Sequence, residues 1–286
     1  MDCTSSNFNV SCHGIQRDGK NVDLLVIVLV FIVALSMTLV GKGGGNFYVV
    51  ILVFAAIPIH EASTTAQFIL FFASFAGMIV FGKNKAVVWR LAIPVGALVA
   101  LSAFAGGYLS YLFDEIALKV IFALLLIIAG LVMLAPYSYQ ESDILEHRFG
   151  QVILTTDVGE LVLNLKIVVP VTLLTGFFSG MIGVSGGSFL VPMLVLACGL
   201  PMTTSVTTAT PLVATSALMG FSGHLFQGHF NPYLALPLAV VTVIGGFMGG
   251  RFALKSKPKH LKQLFAVTNV IAALLIVLNL LSVLVT

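Results

Sequence analysis

Charge is what this sequence has least of. Of 286 residues only 9% are Asp, Glu, Lys or Arg, against roughly 25% in a soluble domain, and from residue 167 to residue 250 there is none. A soluble fold does not tolerate such a run, so the class expected is all-α, a polytopic helical membrane protein. Strict alternation of apolar and polar residues is also missing, which excludes a transmembrane β-barrel. Cysteine is scarce. Cys198 lies in an apolar run and reads as a small packing residue, while Cys3 and Cys12 are a candidate disulfide pair if the N-terminus lies outside the cytoplasm. The charged-then-apolar order of a cleaved signal peptide is lacking, because the first long apolar run begins only at Leu24. His60-Glu61 has no second His four residues on, so a zinc helix motif is lacking too. Neither metal, cofactor nor nucleic-acid partner is expected; the partners expected are a bilayer and a small anion, with a homodimer as a candidate assembly. Asn9-Val10-Ser11 fits a glycosylation acceptor, a pattern short enough to arise by chance.

What is there, twice, is a set of Gly, Pro and Thr positions inside apolar stretches. Gly41-Lys42-Gly43-Gly44-Gly45-Asn46-Phe47 aligns with Gly183-Val184-Ser185-Gly186-Gly187-Ser188-Phe189. Pro58 then matches Pro201, Thr64-Thr65-Ala66 matches Thr207-Thr208-Ala209, Pro94 matches Pro237, Gly106-Gly107 matches Gly249-Gly250, and Lys119 matches Lys262. The offset is 142 residues at the glycines and 143 from the prolines onward. A hydrophobic chain of two halves, each broken by Gly and Pro at the same place, has the outline of a secondary transporter.

The organisation expected is a polar N-terminal segment (1–22), a first transmembrane repeat (23–135), a polar connector (136–166) and a second repeat (167–286). Each repeat holds five apolar segments, near 24–41, 45–59, 63–82, 90–113 and 117–135, then near 167–183, 187–200, 206–226, 232–252 and 262–285. The segments 45–59 and 187–200 are short for a span, which needs about 20 residues, and read as short or half-membrane helices. Basic residues mark cytoplasmic loops. Lys83, Lys85 and Arg90 follow the third segment of the first half, whereas Arg251, Lys255, Lys257, Lys259 and Lys262 follow the fourth of the second. The basic loop is thus displaced by one connection, as in two halves inserted in opposite orientations, with both termini outside and the connector in the cytoplasm. Trp89 and Arg90 fall where an interfacial anchor is expected.

Three glycines in a row cost too much helix stability to lie inside one, about 1 kcal/mol each against alanine. Gly43, Gly44 and Gly45, with Gly186 and Gly187, therefore read as unwound stretches whose N–H groups open the next helix as an anion site. Close helix packing is the competing account. Ser185, Ser188, Thr64, Thr65, Gln67, Thr207, Thr208 and Thr210 are candidate neutral ligands for anionic oxygens, although a buried Thr also bonds its own helix carbonyls. Lys42 is a candidate anion partner or a lysine that snorkels to the cytoplasmic interface, and its repeat mate is Val184. His60 and Glu61, in the turn after Pro58, are a candidate proton-coupling pair or a surface turn. Gly245, Gly246, Gly249 and Gly250, with Ser102, Ala103, Gly106 and Gly107, read as close helix contacts. Pro94 and Pro237 read as kinks or first turns.

The paired Gly-rich segments, each followed by a short Pro-ended helix and a Thr-rich helix, resemble the sulfite exporter TauE/SafE family, most clearly from Gly180 through Gly183-Val184-Ser185-Gly186-Gly187 to Pro192. The resemblance covers about residues 24–285. It implies a plasma-membrane permease, not an enzyme, that exports sulfite or small organosulfonates by alternating access around a midplane anion site. Two other functions stand beside it. One is a passive anion channel. The other is an intramembrane serine protease, since Gly183-Val184-Ser185-Gly186 fits Gly-x-Ser-Gly and His224 could serve as base, but the mate of Ser185 is Gly43 and a protease has no need of a duplication.

Overall fold

The computed structural model describes residues 24–112, 120, 124, 151–156, 159–226, 228 and 230–285. The segment 117–135, apart from Val120 and Leu124, and the Cys3–Cys12 pair lie outside the described residues. Among those described, the first half supplies α1 (Leu24–Leu39), α2 (Gly45–Phe54), α3 (Ile59–Lys83) and α4 (Trp89–Leu109), the last closed by a single 3₁₀ turn, Ser110–Leu112. The second half supplies α5 (Leu165–Ile182), α6 (Gly187–Leu196), α7 (Met202–Leu225), α8 (Pro232–Lys255) and α9 (Pro258–Val285). Within the connector, β1 (Gln151–Thr156) and β2 (Gly159–Asn164) pair as an antiparallel hairpin in which Gln151 faces Asn164 and Thr156 faces Gly159. Asn164 then caps α5 by accepting from the Lys166 N–H. Apart from this hairpin, the expected all-α membrane fold is what is found. Ile59–Lys83, Trp89–Leu112, Leu165–Ile182 and Pro232–Lys255 are long and apolar enough to cross a bilayer.

The glycine stripes set the packing. A Cβ on Gly106 or Gly180 would overlap the carbonyl oxygen of Phe177 or Ala103, which locks α4 onto α5. On Gly246 or Gly249 it would overlap the carbonyl of Ala73 or Leu35, which holds α8 against α3 and α1. On Gly107 it would meet the Gly220 carbonyl, where α4 crosses α7. Without a side chain these backbones approach to contact, the usual route to helix association in lipid. The expected close-contact role of these glycines is confirmed. Each pairing also has its mate when the halves are exchanged: α1 lies on α8 as α5 lies on α4, and α3 on α8 as α7 on α4.

Two helix starts differ from the expectation. Helix α3 begins at Ile59 and α7 at Met202, each directly after its N-cap proline, Pro58 or Pro201. Proline pre-sets the φ of helix entry and cannot donate, so the helix starts at the proline rather than several residues later. His60 and Glu61 are therefore in the first turn of α3, not in a turn before it, and both are partly exposed.

Candidate functional site

Both Gly-rich stretches are breaks. After α1 the chain takes left-handed φ at Gly41, Gly43 and Gly44, and Gly44 is the N-cap of α2 at φ 103°. Glycine alone adopts this at no steric cost. The Met37 carbonyl gathers the N–H groups of Val40, Lys42 and Gly43. After α5 one left-handed residue suffices, Gly183 at φ 83°. The breaks meet. A Cβ on Gly45 would lie 2.6 Å from the Ser185 nitrogen and 2.8 Å from Leu70, and one on Gly187 would lie 2.8 Å from the Lys42 Cα. Leu70 is close to the midpoint of the 25-residue α3, so the junction sits at mid-span of that helix.

A ring of hydrogen bonds ties the breaks to each other and to α9. Asn46 donates through Nδ2 to Ser188 Oγ (2.9 Å) and accepts through Oδ1 from the Ser185 N–H (3.1 Å). Ser188 Oγ donates to Asn269 Oδ1 (3.2 Å) on α9. The same Asn269 oxygen accepts from Lys42 Nζ at 2.6 Å, and Ser185 Oγ closes the ring by donating to the Lys42 carbonyl. Ser185 Oγ also accepts from the Gly187 N–H (3.1 Å).

Lys42 neither snorkels nor stands free. It is 2% exposed, and Nζ donates further to Phe265 O (3.0 Å) and Thr268 Oγ1 (3.1 Å) while lying 3.7 Å from the Phe265 ring centroid. All three hydrogen-bond acceptors are neutral, and Lys42 is the one Lys, Arg, Asp or Glu buried among the described side chains.

Polar atoms without a partner cluster on the first break. The hydroxyls of Thr38, Tyr48 and Ser74 and the Asn269 amide nitrogen are buried and unpaired among the described residues. Ser74 faces Gly43, where a Cβ would overlap its hydroxyl. Tyr48 faces Gly44, whose Cβ would lie 2.8 Å from the phenol oxygen. Thr38 abuts Gly77 on α3. All four groups can donate, and a buried donor left unpaired costs about 1–3 kcal/mol.

A cavity of about 190 Å³ opens beside the second break. Asn46, Val171, Leu174, Thr175, Phe178, Ser179, Val184, Ser185, Gly186, Ser188 and Phe189 line it, and the surface they present is almost wholly apolar. Most polar atoms at its edge are spent on protein partners: Ser179 Oγ bonds Ser216 Oγ (2.9 Å) and the Gly176 carbonyl (3.0 Å).

The sequence candidates thus divide. Lys42, Gly43, Gly44, Gly45, Ser185, Gly186, Gly187 and Ser188 come together at the junction. The Thr hydroxyls do not. Thr64 donates to His60 O and Thr210 to Val206 O, each four residues back on its own helix. Thr207 donates to Ala86 O (2.5 Å), and Thr208 accepts from the Val88 N–H (3.2 Å), so both tie α7 to the α3–α4 loop. Gln67 donates to Ser179 O (2.8 Å), leaving its oxygen and the Thr65 hydroxyl unpaired. The Ser185–His224 pairing of a protease is not formed. His224 bonds Gly180 O (2.8 Å) and Ser110 Oγ (3.2 Å), and Ser185 is held in the ring. No metal-binding group of His, Cys, Asp and Glu occurs among the described residues.

Asn46, Asn269, Thr268, Tyr48, Ser74 and Thr38 were not among the sequence candidates. A signal existed for some. Asn46 is the repeat mate of Ser188, and Thr268-Asn269 is a polar pair inside a long apolar run.

Comparison with known proteins agrees with this architecture. A family model described as "Sulfite exporter TauE/SafE" matches residues 26–276. Among relatives, a protein of Methanocaldococcus jannaschii named a probable membrane transporter protein is 26% identical, over 83% of this chain and 89% of its own length. Bacillus subtilis YdhB, also named a probable membrane transporter protein, is 24% identical over 88% of this chain and 99% of its own length. One from Xylella fastidiosa, so named too, is 26% identical over 80% and 85%. No solved structure matches.

Proposed function

The chain belongs to the sulfite exporter TauE/SafE family and is a multi-pass plasma-membrane transporter, and from that premise we propose that it carries small sulfur oxyanions, sulfite or organosulfonates, through the junction of the two breaks. The observation that carries this reading is the composition of the junction. It holds one buried lysine, Lys42, four groups able to donate that are unpaired among the described residues, and no carboxylate among the described buried residues. A cation site would need the opposite balance. The almost wholly apolar surface of the adjacent cavity suits the small carbon tail of a sulfonate.

Transport on this reading follows alternating access between two inverted repeats. Supporting it, Lys85 and Arg90, at the α3–α4 connection and the start of α4, and Ala253 and Leu261, on either side of the α8–α9 connection, line one common cavity. Those connections are one position apart in the two halves, so their sharing a face favours opposite insertion. In the present conformation the ring closes the breaks on each other. An arriving anion would take over donors that now serve Asn269, Ser188 and the Lys42 carbonyl, freeing α9 from the break. Direction follows the family name, and export is the reading adopted.

Gly186 gives the direct test. A Cβ there meets nothing nearer than Thr175 at 3.2 Å, and its φ is −62°, so a longer side chain enters the cavity without backbone strain. In proteoliposomes the wild type is expected to carry sulfite and methanesulfonate but not alkali cations, faster with a proton gradient than without, and Gly186→Leu is expected to abolish flux while the protein stays folded. Full flux in Gly186→Leu would place the path elsewhere, and gradient-independent flux would make the protein a channel.

A further inference from the structure

A second cavity, about 350 Å³, lies at the end of the molecule that carries both basic loops. Three separate connections build it. Lys85 comes from the loop between α3 and α4, Trp89 and Arg90 from the first turn of α4, Thr203, Thr204 and Thr207 from the first turns of α7, and Ala253, Leu254 and Leu261 from the end of α8 and the start of α9. Two hydrogen bonds already described hold its walls together, Thr207 to the Ala86 carbonyl and the Val88 N–H to Thr208. In the sequence Lys85 and Arg90 mark a cytoplasmic loop, Arg90 also an interfacial anchor, and Thr207 a candidate ligand for anionic oxygens; the fold brings them to one place.

We propose that this cavity is a second oxyanion site, separate from the junction of the breaks. Its chemistry is that of sulfate, sulfonate and phosphate recognition. Arg90 offers a planar fork of donors, Lys85 an ammonium on a flexible stem, and Thr203 and Thr204 hydroxyls that are partly exposed rather than sealed in the core. The volume falls in the range of small-ligand pockets. Among the described side chains, the charges around it have one sign. Arg251, Lys255, Lys257, Lys259 and Lys262 flank the α8–α9 wall in sequence, and Lys83 precedes the loop. Glu61, the one acid whose side chain is described, stands at the opposite end of α3. A concave site whose described charged residues are all basic concentrates anions from solution ahead of any specific contact. The ligand is a cluster of anionic oxygens, either free in solution or on the phosphate of a lipid headgroup, since Trp89 is 43% exposed at the rim.

The site carries its own reporter, because Trp89 is the only tryptophan in the chain. The purified full-length protein in neutral detergent is titrated with methanesulfonate, sulfate and phosphate at constant ionic strength set by chloride, and tryptophan emission is followed. A saturable change is expected, with the dissociation constant raised at least tenfold in Lys85→Gln/Arg90→Gln and unchanged in Gly186→Leu. Because Gly186→Leu blocks the junction, loss of transport there with the Trp89 signal intact separates the two sites, and failure of the transport reading leaves this result standing. A second arm uses nanodiscs with and without phosphatidylglycerol. Competition of that lipid with the free anions assigns the oxygens to a headgroup, and its absence assigns them to solutes. The proposal is overturned if no oxyanion or anionic lipid gives a saturable change, or if the double variant binds as the wild type does. Lys85→Gln alone, at an exposed loop residue, keeps the test valid if the double variant does not fold, and its dissociation constant must then rise.

Discussion

Asn46 and Ser188 hold equivalent places in the two repeats, 142 residues apart, and they bond to each other, Nδ2 to Oγ at 2.9 Å. One neighbouring contact is reciprocal as well, that of Gly45 with Val184 and of its mate Gly187 with Lys42, the mate of Val184. Self-pairing of equivalent residues with an exchanged contact beside it is what a local two-fold axis produces. It supports the inverted-repeat reading, with the axis passing through the junction.

A double-mutant cycle tests this bond. Asn46→Ala strips the Ser185 N–H of its acceptor and Ser188 of its donor, so it should cost about 1–3 kcal/mol in the purified protein. Ser188→Ala should cost less, about 0.5–1.5 kcal/mol, and the double variant should fall short of the sum by roughly 0.5 kcal/mol or more. Thermal unfolding in detergent reads all three. Strict additivity would mean that the two side chains do not interact in the folded protein.

Tyr48→Phe and Ser74→Ala should separate binding from folding. Both hydroxyls are buried and without a partner among the described residues, so removing them should relieve a desolvation penalty, and each variant should be as stable as the wild type or more so by up to about 1–2 kcal/mol. If the hydroxyls serve the anion, the same variants should bind sulfite or methanesulfonate several-fold more weakly in a thermal-shift titration. Loss of stability in either would show that the hydroxyl has a structural partner.

Much of this was legible in the sequence because duplication repeats its special positions. The breaks at Gly43–Gly45 and Gly186–Gly187, the short helices after them and the contacts of Gly106 and Gly246 all follow from where glycine stands. The Thr hydroxyls were harder. Thr207 and Thr210 look alike in one sequence, but helix phase brings the first to the Ala86 carbonyl as well as to Thr204 of its own helix, and leaves the second with its own helix alone. Lys42 was ambiguous for a different reason. Its partners Phe265, Thr268 and Asn269 lie more than 220 residues away, and the acceptors on them are neutral, so no complementary charge in the sequence announced the pairing.

The packing glycines give a contrast within one protein. Gly106→Ala drives a methyl into the Phe177 carbonyl, and Gly246→Ala drives one into that of Ala73. Neither backbone can yield without parting two helices, so each should cost about 1–3 kcal/mol. Gly82→Ala meets only the Trp89 ring at 3.5 Å, and should be neutral or stabilising by up to about 1 kcal/mol, since alanine is the better helix former. Melting temperatures of the three variants decide it, and equal losses in all would remove the close-contact account.

Lys42 makes a prediction about substrate charge. A single buried ammonium with neutral partners can be balanced by one negative charge. A second would remain uncompensated in the low-dielectric interior, at a cost of several kcal/mol. Singly charged methanesulfonate should therefore be carried at least about 100-fold better than doubly charged sulfate, a difference of roughly 3 kcal/mol. Sulfite flux should rise as the pH is lowered and the anion takes up its proton. Lys42→Met should abolish the preference together with most of the flux, and it should also cost about 1–3 kcal/mol of stability, because the acceptors on Phe265, Thr268 and Asn269 lose their donor. Rates must accordingly be normalised to folded, inserted protein. The measurement is initial flux of both anions into proteoliposomes for wild type and variant. Equal flux of sulfate and methanesulfonate in the wild type, or an undiminished preference in Lys42→Met, would mean that the ammonium only clamps α9 to the break and takes no part in balancing the substrate.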